Sequence, residues 1–489
     1  MNVRWIKETR ELLPWLGGTL GLMVVLHAVW GQEVDGLVVV VFAIGSVLMA
    51  ASTFGSELQH RTLGLLLAQP IPRAVLWREK MGSLALSLAV GLGGAWACLS
   101  LLGHSTTAAQ HAAYAGILML VALCAFCATP CLTLGMRLPV GAVVCSLTLP
   151  MMLLGAGDGV CRYWLRLAPP AWLAVPVLLG YGAILYTLGY RTFQRWEVLD
   201  LASPGLELPA WLETLFQRAR PDPVLSTAQP FRSLLEKELG LQQPTLLVAG
   251  FCLVGAVIAG VIHWASLAWA EAILGGCCGL GLLLAPLLAG ALAVAEEQAL
   301  GIADWQKTLP PSARQQWLVK MLVTLGVGLA ASLALGTSLS VGLWWFLKGV
   351  GHPSLPSASE VGYFVLAVLL STSLAAYAGT FCRNSLKAIL LALALAVGGT
   401  AWSVVGARLG LKWWLGLAEI RLRQPYELGA GLSLVLALLA LTAFLQWLAF
   451  ANDHRGVWST PRKALQIILL LAAVGVLSLA VAMRLFGWR

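Results

Sequence analysis

The residues able to do chemistry are few, and the most regular of them occur twice. Glu57, Pro70, Trp77, Lys80 and Met81 recur at one constant offset as Glu297, Pro310, Trp317, Lys320 and Met321. Each set stands between two long apolar runs, in SELQHRTLGLLLAQPIPRAVLWREKM (Ser56 to Met81) and AEEQALGIADWQKTLPPSARQQWLVKM (Ala295 to Met321). No obvious carboxylate pair for acid–base work accompanies either set. A register of Glu, Pro, Trp and Lys kept twice reads instead as one cytoplasmic device present in each of two copies of a duplicated membrane half.

The other constellations carry less. Cys124, Cys127 and Cys131 share a helix face by spacing, as a ligand set would, but no histidine or carboxylate joins them. Most of the 10 cysteines lie inside apolar runs, so helix packing by a small buried hydrophobe is the favoured reading. His27, His60, His104, His111, His263, His352 and His454 form no metal-spaced pair. The chain has no G-x-x-x-x-G-K-[ST] loop to cradle nucleotide phosphates and no G-x-S-x-G elbow. No catalytic residue, metal ligand or cofactor is therefore expected in this chain, and it is not expected to hydrolyse ATP itself.

The elements that position the repeated residues must be membrane helices. Hydrophobic residues make up 59% and charged residues 11% of the 489, against roughly 25% charged in a soluble domain. Mean hydropathy is +0.84. Runs near the roughly 20 residues needed to cross the hydrocarbon core are expected at about 13–30, 37–55, 82–103, 112–135, 139–156 and 173–190. A second set follows at about 245–264, 272–295, 321–347, 360–381, 386–406 and 429–450, and a thirteenth at about 464–485.

The formal charge of +9 is explained by topology rather than nucleic acid. With the N-terminus inside, the cytoplasmic side collects Arg4, Lys7, Arg10, Arg73, Arg78, Lys80, Arg314 and Lys320, and most of the remaining basic residues. Glu57, Glu271, Glu296 and Glu297 then fall at span ends within reach of water. The scarcity of charge inside the spans argues against a proton- or sodium-coupled carrier.

Arg4 and Glu8 in RWIKE match Arg232 and Glu236 in RSLLE, each followed by a proline (Pro14, Pro244) and a span. Both read as interfacial elbow helices. The proline-rich stretch Ser203 to Pro230 reads as a cytoplasmic linker with one short amphipathic helix at 210–219. The domains expected are a first transmembrane half (1–200), the linker (201–230), a second half (231–455) and an additional C-terminal span (456–489). The outer loops 155–172 and 407–428 mix Trp with Arg and suit interfacial or re-entrant helices.

The repeated segments resemble the ABC type-2 permease family, in which a glutamate after the second span is followed by a leucine-rich short helix, a Leu-x-x-Pro-type step and a basic residue opening the third span. In the first copy the matching residues are Glu57, Arg61, Thr62, Gly64, Leu65, Leu66, Leu67, Pro70, Pro72, Arg73 and Lys80; in the second they are Glu297, Gly301, Asp304, Trp305, Thr308, Leu309, Pro310, Ser312, Arg314 and Lys320, and the repeated Trp77 and Trp317 stand within these segments. The second copy departs from the pattern, with Gly301-Ile302 where the first has Arg61-Thr62.

The resemblance implies an all-α polytopic fold of two six-helix halves and an extra span, in the cytoplasmic membrane of a bacterium or archaeon. It also implies that these residues form coupling helices docked on two copies of a cytoplasmic P-loop ATPase, where ATP and Mg bind. In each copy the apolar tip is expected at Leu66, Leu67 and Pro70, and at Leu309 and Pro310. Membrane lipids are the other expected partner, and nucleic acid is not one. Export of a lipid-like or small amphipathic cargo is the function implied. The alternative is a secondary active transporter with a twelve-span core.

Overall fold

The computed structural model describes residues 3–30, 35–59, 62–102, 108–136, 139–163, 174–196, 230–263, 267–300, 312–347, 357–382, 384–398, 428–455, 465–470 and 474. Every regular element among them is a helix. We number these α1 (Val3–Trp30), α2 (Asp35–Gln59), α3 (Leu63–Leu67), α4 (Arg73–Leu102), α5 (Ala108–Met136), α6 (Pro139–Tyr163) and α7 (Ala174–Arg195). Then come α8 (Pro230–Leu241), α9 (Gln243–Ile262), α10 (Leu267–Ala291), a π turn (Leu292–Glu296), α11 (Glu297–Leu300), α12 (Ala313–Leu347), α13 (Ala358–Gly379), α14 (Ser385–Gly398) and α15 (Leu428–Arg455).

Eight of the described helices are long and apolar enough to cross a membrane, and the protein is an all-α polytopic membrane protein. These eight lie in α2, α4, α5, α6, α9, α10 with its continuation to Ala299, α12 and α13. Of the other expected spans, α1 and α7 are formed but are not among the eight, α14 is short, and α15 is formed with a shorter apolar stretch, Leu438–Asp453. The thirteenth is described only at 465–470 and 474, where Leu470 packs with Tyr377, Leu395, Leu445 and Ala449. The linker, most of the loop 407–428 and part of the loop 155–172 lie outside the described residues.

Two expectations about helix ends change. The first elbow is not a separate helix, because α1 runs unbroken from Val3 through Pro14 to Trp30. Proline forfeits one backbone hydrogen bond, which a membrane helix tolerates when its neighbours compensate. The second elbow is separate: α8 stops at Leu241, and Gln242 bridges the break with Pro244 at the start of α9. The Gln242 amide donates to the Ala289 carbonyl at 3.1 Å and accepts from Thr245 Oγ1 at 3.0 Å, so polar groups at the break have partners.

The spans expected at 82 and 321 also start earlier. α4 begins at Arg73 and α12 at Ala313, so Trp77, Lys80, Trp317 and Lys320 belong to the helices that cross rather than to loops before them. Pro72 stands at the N-terminal end of α4 and its carbonyl accepts from Val75 N, while Ser312 caps α12 by exchanging bonds with Gln315.

Packing centres on α2 and α10. α2 is flanked by α1, α4, α5 and α6, and α10 by α9, α12 and α13. α6 also lies against α9 and α10, joining the first set of helices to the second. Close approach there depends on small residues: a Cβ at Gly255 would stand 2.6 Å from both Cys277 Sγ and Met152 Cε. Cys277 and Cys278 are buried in one continuous apolar cluster running from Leu12 to Ala392, as the helix-packing reading of the cysteines expects.

Candidate functional site

The sequence-selected glutamates and lysines meet inside the protein. Glu57 lies near the end of α2 and Lys80 two turns into α4, and both side chains are buried, Lys80 at 2% exposure and Glu57 at 6%. Lys80 Nζ lies 3.0 Å from Glu57 Oε1 and 2.8 Å from Glu8 Oε2 on α1, and donates to the Thr53 carbonyl at 3.1 Å. An ammonium has three N–H donors, so these contacts saturate it. The Phe54 ring lies 5.5 Å from the same nitrogen, adding a cation–π contact.

This corrects the expectation that Glu57 and Glu297 stand in water. Both are buried, whereas Glu271 and Glu296 are partly exposed. A buried ammonium persists only when paired, and here its partners come from two further helices.

The second cluster is built from other positions. Glu297 is reached by Lys320 on α12 through Oε2 and by Lys237 on α8 through Oε1 at 2.7 Å. Lys237 also lies 3.4 Å from Glu238, which is buried. Thus Glu8 has its spatial counterpart in Lys237 and Glu238, not in the motif-matched Glu236, which is only half-buried. Burial first, and the neighbouring Glu297 charge second, push the Glu238 carboxyl up from 4.5, with Lys320 and Lys237 pulling the other way.

The helices deliver their glutamates differently. α2 reaches Glu57 as uninterrupted α-helix, whereas the π turn Leu292–Glu296 directly precedes Glu297. Such a turn inserts a surplus residue and re-aims the side chains beyond it.

Trp77 is internal as well. It stacks on Phe54 at 5.4 Å, meets Phe193 at 5.6 Å and donates from Nε1 to the Tyr186 hydroxyl at 3.2 Å. Arg73 at the start of α4 donates to the Gln194 carbonyl, so α4 is tied to α7 at two levels. Trp317 is half-buried and faces Phe450 at 5.8 Å, while Arg314 is exposed.

Between α2 and α4 lies α3, a single turn. Thr62 N donates to the Glu57 carbonyl at 2.9 Å, which starts the turn, and Pro70 and Pro72 prevent its continuation. Leu63 and Leu67, four residues apart, face the core, and Leu65 stands 72% exposed. Within the expected tip Leu67 is buried, Leu66 half-buried and Pro70 exposed, and Leu65, a motif residue not placed in that tip, is the outward leucine. Its signal was the i, i+4 spacing of Leu63 and Leu67, which leaves Leu65 on the opposite side. Arg61, Asp304, Leu309 and Pro310 lie outside the described residues.

Among the described residues no group of three or more His, Cys, Asp or Glu is arranged to hold a metal ion. Comparison of the chain with protein-family models, curated proteins and solved structures gives no match.

Proposed function

We propose that the chain is the membrane-spanning permease subunit of an ATP-driven exporter, with two repeated halves in one polypeptide and its ATPase on separate cytoplasmic subunits. One observation carries this reading: in each half a buried Glu–Lys pair, Glu57–Lys80 or Glu297–Lys320, ties the helix entering a short connecting segment to the helix leaving it. A push on such a segment moves both helices together, as a motor-driven transporter requires. In the first half α3 presents Leu65 outward from a seat formed by Leu63 and Leu67, a shape suited to burial in a partner's cleft. In this reading the connecting segments and the N-terminus are cytoplasmic, and the cargo is lipid-like or amphipathic.

The test is affinity purification of the full chain from its native host, with mass measurement of the intact complex. One chain with two P-loop ATPase subunits, and ATP hydrolysis that disappears from the chain alone, is the expected result. Two copies of the chain per complex would refute the fused-halves reading.

The buried ionic clusters favour a second reading, a secondary active carrier, since charge held away from water often serves ion coupling. Reconstituted vesicles separate the two: the exporter needs ATP and its partner, whereas the carrier responds to an imposed ion gradient without either.

A further inference from the structure

We propose that Glu8, Glu57 and Lys80 form a binding site for a single proton, held on the carboxylate pair at the junction of α1, α2 and α4. Such a site would exist under either transport reading.

The charges at this junction do not balance. One ammonium faces two buried carboxylates, an excess of one negative charge in a place where water is excluded. All three N–H donors of Lys80 are already committed, to Glu8, Glu57 and the Thr53 carbonyl. That leaves Glu57 Oε2 buried with no hydrogen-bond partner. A carboxylate oxygen stranded in this way is costly, and an O–H bond formed there with a proton from solvent converts it to a neutral carboxyl.

Among the described residues, the surroundings offer no other compensation. The charged groups acting on Glu57 are Lys80, Glu8 and Lys7. Lys7 is well exposed and lies 3.9 Å from Glu11 on its own helix, so it is both screened and shared. α5 and α6, which also pack on α2, bring Thr133 and Pro139 against Gly55. A metal ion would need a ring of oxygens around an open centre, and Lys80 Nζ holds the centre. The second cluster differs, because two ammoniums, Lys237 and Lys320, face the two buried carboxylates Glu297 and Glu238, with Asp453 nearby and half-exposed. Among the described residues it is in the first cluster that a buried carboxylate oxygen is left without a hydrogen-bond partner.

Infrared difference spectroscopy of the full chain in lipid nanodiscs tests this directly. At neutral pH the wild type should show one protonated carboxyl absorption that both Glu57→Gln and Glu8→Gln remove, since either substitution leaves one carboxylate balanced by Lys80. Lys80→Met should instead add a second protonated carboxyl. Each variant's fold is checked by helical circular dichroism and size-exclusion profile, and Glu8→Gln serves if Glu57→Gln does not fold. The proposal is overturned if the wild type has no protonated carboxyl absorption that these substitutions remove. It is equally overturned if that absorption appears only when sodium and potassium are replaced by choline, which would assign the site to a metal ion.

Discussion

At Gly290 on α10 a Cβ would stand 2.2 Å from the carbonyl oxygen of Thr372 on α13, with Ala376 N only 2.8 Å away. The two helices meet backbone to backbone, and no flexible side chain can yield. Gly290→Ala should lower stability by about 1–3 kcal/mol, as overpacking does, while Gly17→Ala, with nothing within 4 Å, should be neutral or mildly stabilising. Thermal unfolding in detergent distinguishes them, and equal melting temperatures would contradict the close approach.

Lys80 neutralises more than it packs. Lys80→Met should cost about 3–5 kcal/mol, because the carboxylate that Lys80 balances is left without its cation and must take up a proton. Adding Glu8→Gln and Glu57→Gln to that variant should restore most of the loss, because no buried group is then left to be neutralised. Chemical unfolding of the single and triple variants is the comparison, and a triple variant as unstable as the single would deny that charge is the cause.

Stability should depend on pH through Glu238. Its folded carboxyl titrates above 4.5, so the folded state holds this proton more tightly than the unfolded chain. The resulting stabilisation is complete below the ordinary carboxylate range and is lost as pH rises through the folded value. Relative to Glu238→Gln, the wild type should therefore lose melting temperature between acid and neutral pH; parallel pH profiles for the two proteins would contradict this.

Leu65 and Leu67 should behave as opposites. Leu65→Asp places charge on an exposed site and should shift stability by no more than about 0.5 kcal/mol, yet abolish co-purification of an ATPase. Leu67→Asp buries a charge in the core and should unfold the α3 region. Retained partner capture by Leu65→Asp would remove α3 from the docking surface.

The apolar runs made most helices legible, and duplication singled out Glu57, Lys80, Glu297 and Lys320. Their pairing was not legible, because a side chain's partner across two helices is set by helix rotation. Glu8 illustrates this: local motif matching aligns it with Glu236, but the break at Gln242 gives α8 its own direction and turns Lys237 and Glu238 inward. Pro14 suggested a helix boundary that neighbouring helices make unnecessary. The resemblance placed Leu67 in the tip, although its spacing from Leu63 marks it as the seat.

The π turn Leu292–Glu296 makes the two glutamates unequal in a way their matching register conceals. Successive residues of a helix are set about 100° apart, so deleting one residue from that turn would swing Glu297 away from both Lys237 and Lys320. No comparable surplus precedes Glu57. Exchanging the connecting segments between the two copies would therefore carry each glutamate onto a helix indexed for the other, and a working chimera must move Leu292–Glu296 together with the segment it aims.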